Sequence, residues 1–201
     1  MSKLILVRHA TTKDNIDGNL SGHIDSELSD LGKQQILKLN KFLEKENIDC
    51  IYTTTSTRTK NTIKDIAKCK NLDIVESENL REISFGDFEG MNFEYIKNNF
   101  REEFEKIIKN GFEYKYPNGE SLVDSYNRVC KEINYILDCN KDKTILICAH
   151  AGTIRNIISY LIGNTHEYHW NFKIDNASIS IIDIVDGFSV IHTLNNTLYL
   201  T

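Results

Sequence analysis

Several things are scarce in this 201-residue chain, and each scarcity removes a class of function. No apolar run approaches the ~20 residues that span a bilayer. Met1-Ser2-Lys3 leads straight into an apolar strand, which leaves no room for a signal peptide. Lys/Arg-rich blocks are missing and the net charge is −5, so a nucleic-acid surface is not expected. The five cysteines (Cys50, Cys69, Cys130, Cys139 and Cys148) are scattered and odd in number, with no Cys-x-x-Cys pair. That pattern excludes a zinc knuckle and a disulfide framework and fits a reducing cytoplasm. Cys50 and Cys148 fall in apolar runs and are expected to be buried thiols. His-Glu-x-x-His spacing is absent, and there is no internal repeat or low-complexity stretch. The one proline, Pro117, and the richness in Asn, Ile and Lys carry no functional reading.

What remains is ordinary globular composition, 40% hydrophobic and 26% charged, in a chain most simply read as one domain over 1–201. Leu4-Ile5-Leu6-Val7 predicts a fully buried strand, closed by Arg8-His9-Ala10-Thr11-Thr12. Neighbouring residues on a strand face opposite ways. Arg8 and His9 can therefore serve one ligand only if the chain turns off the strand there. Ser29 is placed to cap a helix from Asp30 to Glu46, with Leu31, Leu39, Phe42 and Leu43 inward. Cys50–Thr54 predicts a second strand, followed by a helix through Ile63, Ile66 and Ala67. Ile74-Val75 is a short third strand, and Leu80–Gly90 reads as loop.

Residues 91–119 change character. Phe93, Ile96, Phe100, Phe104 and Ile107 recur at helical spacing amid charges of both signs, and Pro117-Asn118-Gly119 makes a turn. The segment predicts a helical cap inserted over the sheet edge, its aromatics mainly packing cap to core. It holds seven of the 19 aromatics, which hints at a partly apolar leaving group. Ser121 caps a further helix with Leu122, Tyr126, Val129, Ile133, Ile136 and Leu137 on one face. Thr144–Ala149 is another apolar strand ending in a histidine, His150. The stripe Ile154, Ile157, Ile158, Leu161 and Ile162 follows, then strands at Ser178–Ile184 and Ser189–Thr193 joined at Asp186-Gly187. Strands alternating with helices predict an α/β fold: a three-layer αβα sandwich around a mainly parallel sheet.

In a parallel sheet the ends of both apolar strands lie on one edge, so His9 and His150 can meet there. Arg8 arrives with the first. Arg58, early in the helix after the second strand, and Glu82, in the loop after the third, reach the same edge. Two guanidiniums match phosphate oxygens bidentately. A neutral imidazole is a competent nucleophile, and neighbouring arginines favour the neutral form of His9. Glu82 is the candidate acid for the departing oxygen. Arginines repel cations, so no metal is expected. His23, His166, His169 and His192 lack this context and are read as structural or surface residues.

These residues resemble the histidine phosphatase superfamily, also called phosphoglycerate mutase-like. Arg8-His9-Ala10, with Thr12 and Asn15, is similar to its Arg-His-Gly signature. Ser21-Gly22 with Asp25, Leu28, Ser29 and Gly32 resembles its phosphate loop and helix start. Tyr52-Thr53-Thr54 before Arg58 and Thr62, Leu80-Arg81-Glu82 with Glu89-Gly90, and Pro117–Ser121 with Arg128 follow in the family's order. Ala149-His150-Ala151-Gly152 with Ile154-Arg155, and Asn176-Ala177-Ser178, complete the set. The resemblance implies a phosphohistidine formed at His9 and then hydrolysed. It implies oxygens held by Arg8, Arg58 and His150 with help from Asn15, Ser21 and Gly22, and Glu82 as proton donor. It implies no cofactor, and a small phosphorylated metabolite as partner. Ala10 and Ala151 replace family glycines, which a methyl permits only at negative φ. Thr55-Ser56 replaces Pro-Leu, and Ser21 a common Gln.

Glu82-Ile83-Ser84-Phe85 departs from the mutases' Glu-Arg-His-Tyr and favours hydrolysis of a phosphomonoester. Within that reading, an α-ribazole-5′-phosphate phosphatase is one specific form. A mutase primed by a bisphosphorylated sugar acid and a non-catalytic phosphate-binding module are the alternatives. Oligomeric state, monomer or homodimer, is not legible in these residues.

Overall fold

The computed structural model describes residues 1–201. Its sheet has six strands in the order β3-β2-β4-β1-β5-β6. They are β1 Ser2–Arg8, β2 Cys50–Thr53, β3 Ile74–Glu76, β4 Thr144–Ala149, β5 Ile179–Val185 and β6 Phe188–Asn196. The first four are parallel to one another, and β5 and β6 are antiparallel to their neighbours. The fold is therefore α/β with a mostly parallel sheet, as the alternation of strands and helices implied.

Alternate residues of β1 feed opposite cores, which is why its apolar run is continuous. Leu4 and Leu6 pack with Ile145 and Ile147 under α6 (Leu122–Cys139) and α7 (Ala151–Gly163). Ile5 and Val7 pack with Leu146 and Cys148 under α2 (Asp30–Leu43) and α3 (Thr57–Lys70). Each fully buried Leu or Ile contributes about 1.5–3 kcal/mol against exposure. These two cores fix the sheet rigidly beneath its carboxyl edge. A short α1 (Lys13–Asp17) follows β1, with Thr12 and Asn15 forming a capping box. Residues 91–119 carry α4 (Phe93–Asn99) and α5 (Arg101–Asn110). A third small core joins Ile96, Tyr114 and Tyr116 to Ile83 and Phe88 of the preceding loop.

Several expectations need correction. Leu31 is exposed, and the inner face of α2 runs instead through Gly32, Ile36, Leu39 and Leu43. A Cβ on Gly32 would lie 2.1 Å from the Thr11 carbonyl oxygen, so backbone meets backbone there. A hydrophobic pattern cannot register a contact made by a residue with no side chain. The helix also stops at Leu43, not Glu46. Ile162 is exposed at the end of α7, and Cys50 is half-buried, whereas Cys130 is buried. The 80–90 segment is not featureless: 3₁₀ turns at Glu78–Leu80 and Gly86–Phe88 bracket Glu82. The closing hairpin turns at Asp186-Gly187 as expected, with longer strands.

Candidate active site

The register of the sheet assembles the site. Arg8 pairs with Ala149, so the next residues, His9 and His150, emerge side by side at the carboxyl edge. Their ring centroids are 5.2 Å apart. Both rings are buried. The turn off β1 is held from behind. Ala177 donates its N–H to the carbonyls of Arg8 and His9, and Ala10 N–H donates to Thr62 Oγ1 at 3.1 Å. Ala177 does this in a left-handed conformation, φ 54°. Ala10 and Ala151 have no positive φ, so the methyls that replace the family glycines are accommodated.

The tautomer of His9 follows from its partner. Nδ1 lies 2.9 Å from the Ala10 carbonyl oxygen, which can only accept. Nδ1 therefore carries the proton and Nε2 a lone pair. Burial, then Arg8 and Arg58, push His9 well below the usual histidine range. The sequence had pointed to the arginines; burial is the larger cause. His150 is driven the same way, by burial and then Arg58. Its Nε2 pairs with Thr54 Oγ1 at 3.2 Å, and its buried Nδ1 has no protein partner.

A cavity of about 140 Å³ opens here, lined by Arg8, His9, Asn15, Asn19, Leu20, Ser21, Arg58, Glu82 and Phe85. Arg8 anchors one arm on the Ile174 carbonyl at 2.7 Å, while its buried Nε has no partner. Burial pulls its guanidinium down to about 10, so it stays cationic at neutral pH. Arg58 is 1% exposed, not the surface charge that a lone helical arginine usually is. It donates to the carbonyls of Ser21, Gly22 and Ile24 at 2.7–2.8 Å. Asp25 caps the helix that carries it, accepting from Thr57 N–H and Oγ1. Asn15 Oδ1 accepts from Thr12 N–H and Asn176 Nδ2, and its amide nitrogen takes part in neither bond.

Glu89 explains why the 21–24 loop keeps its shape. Its carboxylate accepts from the N–H groups of Gly22 and His23 at 2.8 Å and of Phe85 at 3.0 Å. Gly22 is consequently not a phosphate donor in this arrangement. Its N–H is taken by Glu89 and its carbonyl by Arg58, so it supports the site from behind. A Cβ there would lie 2.0 Å from the Ile83 carbonyl oxygen. Ser21 does line the cavity, with its hydroxyl donated to Asp14. The role of Glu89 was not read from the sequence beyond its place in a motif, because three backbone donors leave no pattern of side chains.

Glu82 sits where two cavities meet. Its Oε2 accepts from Gly152 N–H at 2.9 Å, in the first turn of α7, and Oε1 from Ile83 N–H at 3.1 Å. Arg81 does not pair with it but with Glu78. The second cavity, about 330 Å³, shares Leu20, Glu82 and Phe85 with the first. Apolar walls come from Phe93, Ile107, Tyr114, Tyr116 and Leu122, with Arg155, His169 and Trp170 opposite. The aromatics of the 91–119 segment thus divide. Phe100 packs on Phe88, while Phe93, Tyr114 and Tyr116 face the cavity. His169, read as structural or surface, is buried and lines it too. Among the remaining histidines, His23 and His192 are solvent-facing.

The chain is 34% identical to phosphoserine phosphatase 1 of Hydrogenobacter thermophilus over 200 residues, covering all of this chain and 95% of that protein. It is 28% identical to the adenosylcobalamin/alpha-ribazole phosphatase of Escherichia coli, covering 96% of each. The crystal structure of the alpha-ribazole phosphatase from Shigella flexneri superposes with a TM-score of 0.90 at 28% identity, over 96% of both chains. The sequence model of one family spans residues 4–197, and by that match and these relatives the chain belongs to the histidine phosphatase superfamily, branch 1.

Proposed function

We propose that this protein is a metal-independent phosphomonoesterase that hydrolyses a small phosphorylated metabolite through a phosphohistidine. The observation that carries this reading is the state of His9. It is neutral, with Nε2 bearing the lone pair, beside two arginines and a carboxylate around one small cavity.

The phosphoryl group enters the 140 Å³ cavity, its oxygens held by Arg8 Nε and by the Arg58 N–H groups not given to the Ser21, Gly22 and Ile24 carbonyls. Asn15 and His150 Nδ1 contribute further contacts. His9 Nε2 attacks phosphorus; the N–P bond forms as the bond to the ester oxygen breaks. The electron pair leaves with that oxygen, which takes a proton from the Glu82 carboxyl group. The alcohol departs through the larger cavity. Water, deprotonated by the Glu82 carboxylate, then attacks phosphorus, the N–P bond breaks, and inorganic phosphate leaves with His9 restored. The two guanidiniums neutralise charge that a divalent cation neutralises in metal-dependent phosphatases. The 330 Å³ apolar annex sets the size of the alcohol, and relatives named for phosphoserine and alpha-ribazole bracket what such a space admits.

Hydrolysis of p-nitrophenyl phosphate in EDTA tests the reading. Activity is expected to persist in chelator and to vanish in His9→Ala. Glu82→Gln is expected to lose about 10²–10⁴-fold in kcat, through the attack of water on the phosphohistidine, which needs that carboxylate as base. Full activity in the His9 variant, or loss on chelation, overturns it.

A further inference from the structure

The wall of the larger cavity holds a cation that the reaction above does not use. Arg155 lies on the first turns of α7, and only its Nε is bonded to protein, donating to the Phe172 carbonyl at 2.8 Å. A guanidinium has five N–H donors. The other four have no protein partner, and Arg155 forms no ion pair with a carboxylate. The group is half-buried and stacked on Trp170, 5.2 Å from the ring centroid. Stacking on an indole fixes the plane of the fork, so its ordering is settled before any ligand arrives. Glu82, the proposed proton donor, is close enough for its charge to be felt at Arg155. The cation therefore flanks the path of the departing alcohol.

His169 stands beside it. Its Nδ1 lies 2.7 Å from Asn156 Oδ1, an acceptor, so Nδ1 carries the proton and Nε2 is left as an acceptor. Burial, with Arg155 nearby, pulls the ring down to about 3, which keeps it neutral. The same wall thus offers one planar, cationic, bidentate donor and one neutral acceptor, in an otherwise apolar space. A sulfate or a fully ionised phosphate monoester would present no hydrogen to His169. A carboxylate with an adjacent hydroxyl or ammonium supplies partners for both.

We infer that Arg155 is a specificity residue that binds a carboxylate on the leaving alcohol, making the substrate class phosphate esters of small hydroxy acids, amino-substituted or not. This rests on the phosphatase reading above and narrows it. An alcohol without a carboxylate leaves the half-buried guanidinium without an ionic partner in the complex, which is the origin of the discrimination.

The test uses matched pairs that differ in the carboxylate: O-phosphoserine against O-phosphoethanolamine, and 3-phosphoglycerate against glycerol 3-phosphate. The kcat/KM ratio within each pair is measured for the wild type, Arg155→Gln and Arg155→Lys. The wild type is expected to favour the carboxylate member, and R155Q to lower that ratio about 10- to 10²-fold. R155K, with charge but no fork, is expected to fall between. The ratio matters because Arg155 and Arg8 are tied to the same segment, through the Phe172 and Ile174 carbonyls. Slackening that segment would slow both members of a pair alike and leave the ratio where it was. An unchanged ratio in R155Q, or no wild-type preference, overturns the inference. If p-nitrophenyl phosphate is still hydrolysed in a His9-dependent way, the phosphatase reading survives that outcome; His9-independent hydrolysis sinks both.

Discussion

Gly152→Ala is the substitution on which the proposed proton transfer can be tested most cleanly. The motif around His150 has two small residues after the histidine. Ala151 carries a methyl where the family has glycine, while Gly152 keeps none. A Cβ on Gly152 would lie 2.3 Å from Glu82 Oε1 and 3.1 Å from its Cδ. Carbon–oxygen contacts need over a further ångström, so the carboxylate must retreat by about 1 Å. It is the free end of a side chain, so the retreat is cheap in stability. Alanine also gains about 1 kcal/mol over glycine within a helix. That offsets about 1 kcal/mol for a weakened bond from Gly152 N–H to Glu82. The melting temperature should therefore barely move. Catalysis should not be spared, since a misplacement of about 1 Å costs on the order of 10²-fold. The loss should be steeper for an alkyl phosphate, whose alkoxide needs a proton, than for p-nitrophenyl phosphate, whose phenolate does not. The assay is kcat/KM on both esters beside a thermal melt. Activity within about threefold of wild type, or equal losses on the two esters, would refute the assignment of Glu82 as the acid.

Two further outcomes follow from the buried groups. His9, His150 and His169 all sit below the ordinary value of 6.5 because of burial, so each takes up a proton on unfolding once the pH drops under that value. Their contribution to stability is complete above 6.5 and is lost on acidification, with a combined slope approaching about 4 kcal/mol per pH unit; urea titrations at neutral and mildly acid pH check it, and a flat profile would contradict the burial of these rings. Glu89→Gln places an amide NH₂ against backbone donors that now bond to a carboxylate oxygen. It should cost about 2–4 kcal/mol in urea unfolding. It should also weaken inhibition by inorganic phosphate and lower kcat/KM for all esters alike, because the carbonyls that hold Arg58 lose their support; an intact phosphate affinity would separate Glu89 from the site.

Much of this protein was legible before any coordinates. The apolar runs 4–7 and 144–149, each closed by a histidine, implied two buried parallel strands and a polar site at their shared edge. Helical stripes placed α3, α6 and most of α7, and the ordered motifs implied the family. These features are written in side chains at regular spacing, where periodicity reads them. Less visible were the contacts made by backbone. Gly32 against Thr11, Gly152 against Glu82, and Glu89 on three N–H groups leave no hydrophobic or charge pattern, so Leu31 looked inward and Gly22 looked like a phosphate ligand. His169 was equally hidden, and Arg155 was legible only as a member of a motif: an isolated histidine and a helical arginine gain a place at the cavity only when folding sets them against it. Residue types and their order along the chain thus determined the architecture and which groups are candidates to react. Which nitrogen of His9 is free, which donors of Arg58 and Arg155 remain, and what faces the leaving alcohol were decided by tertiary packing, because hydrogen-bond saturation and burial are properties of neighbours in space.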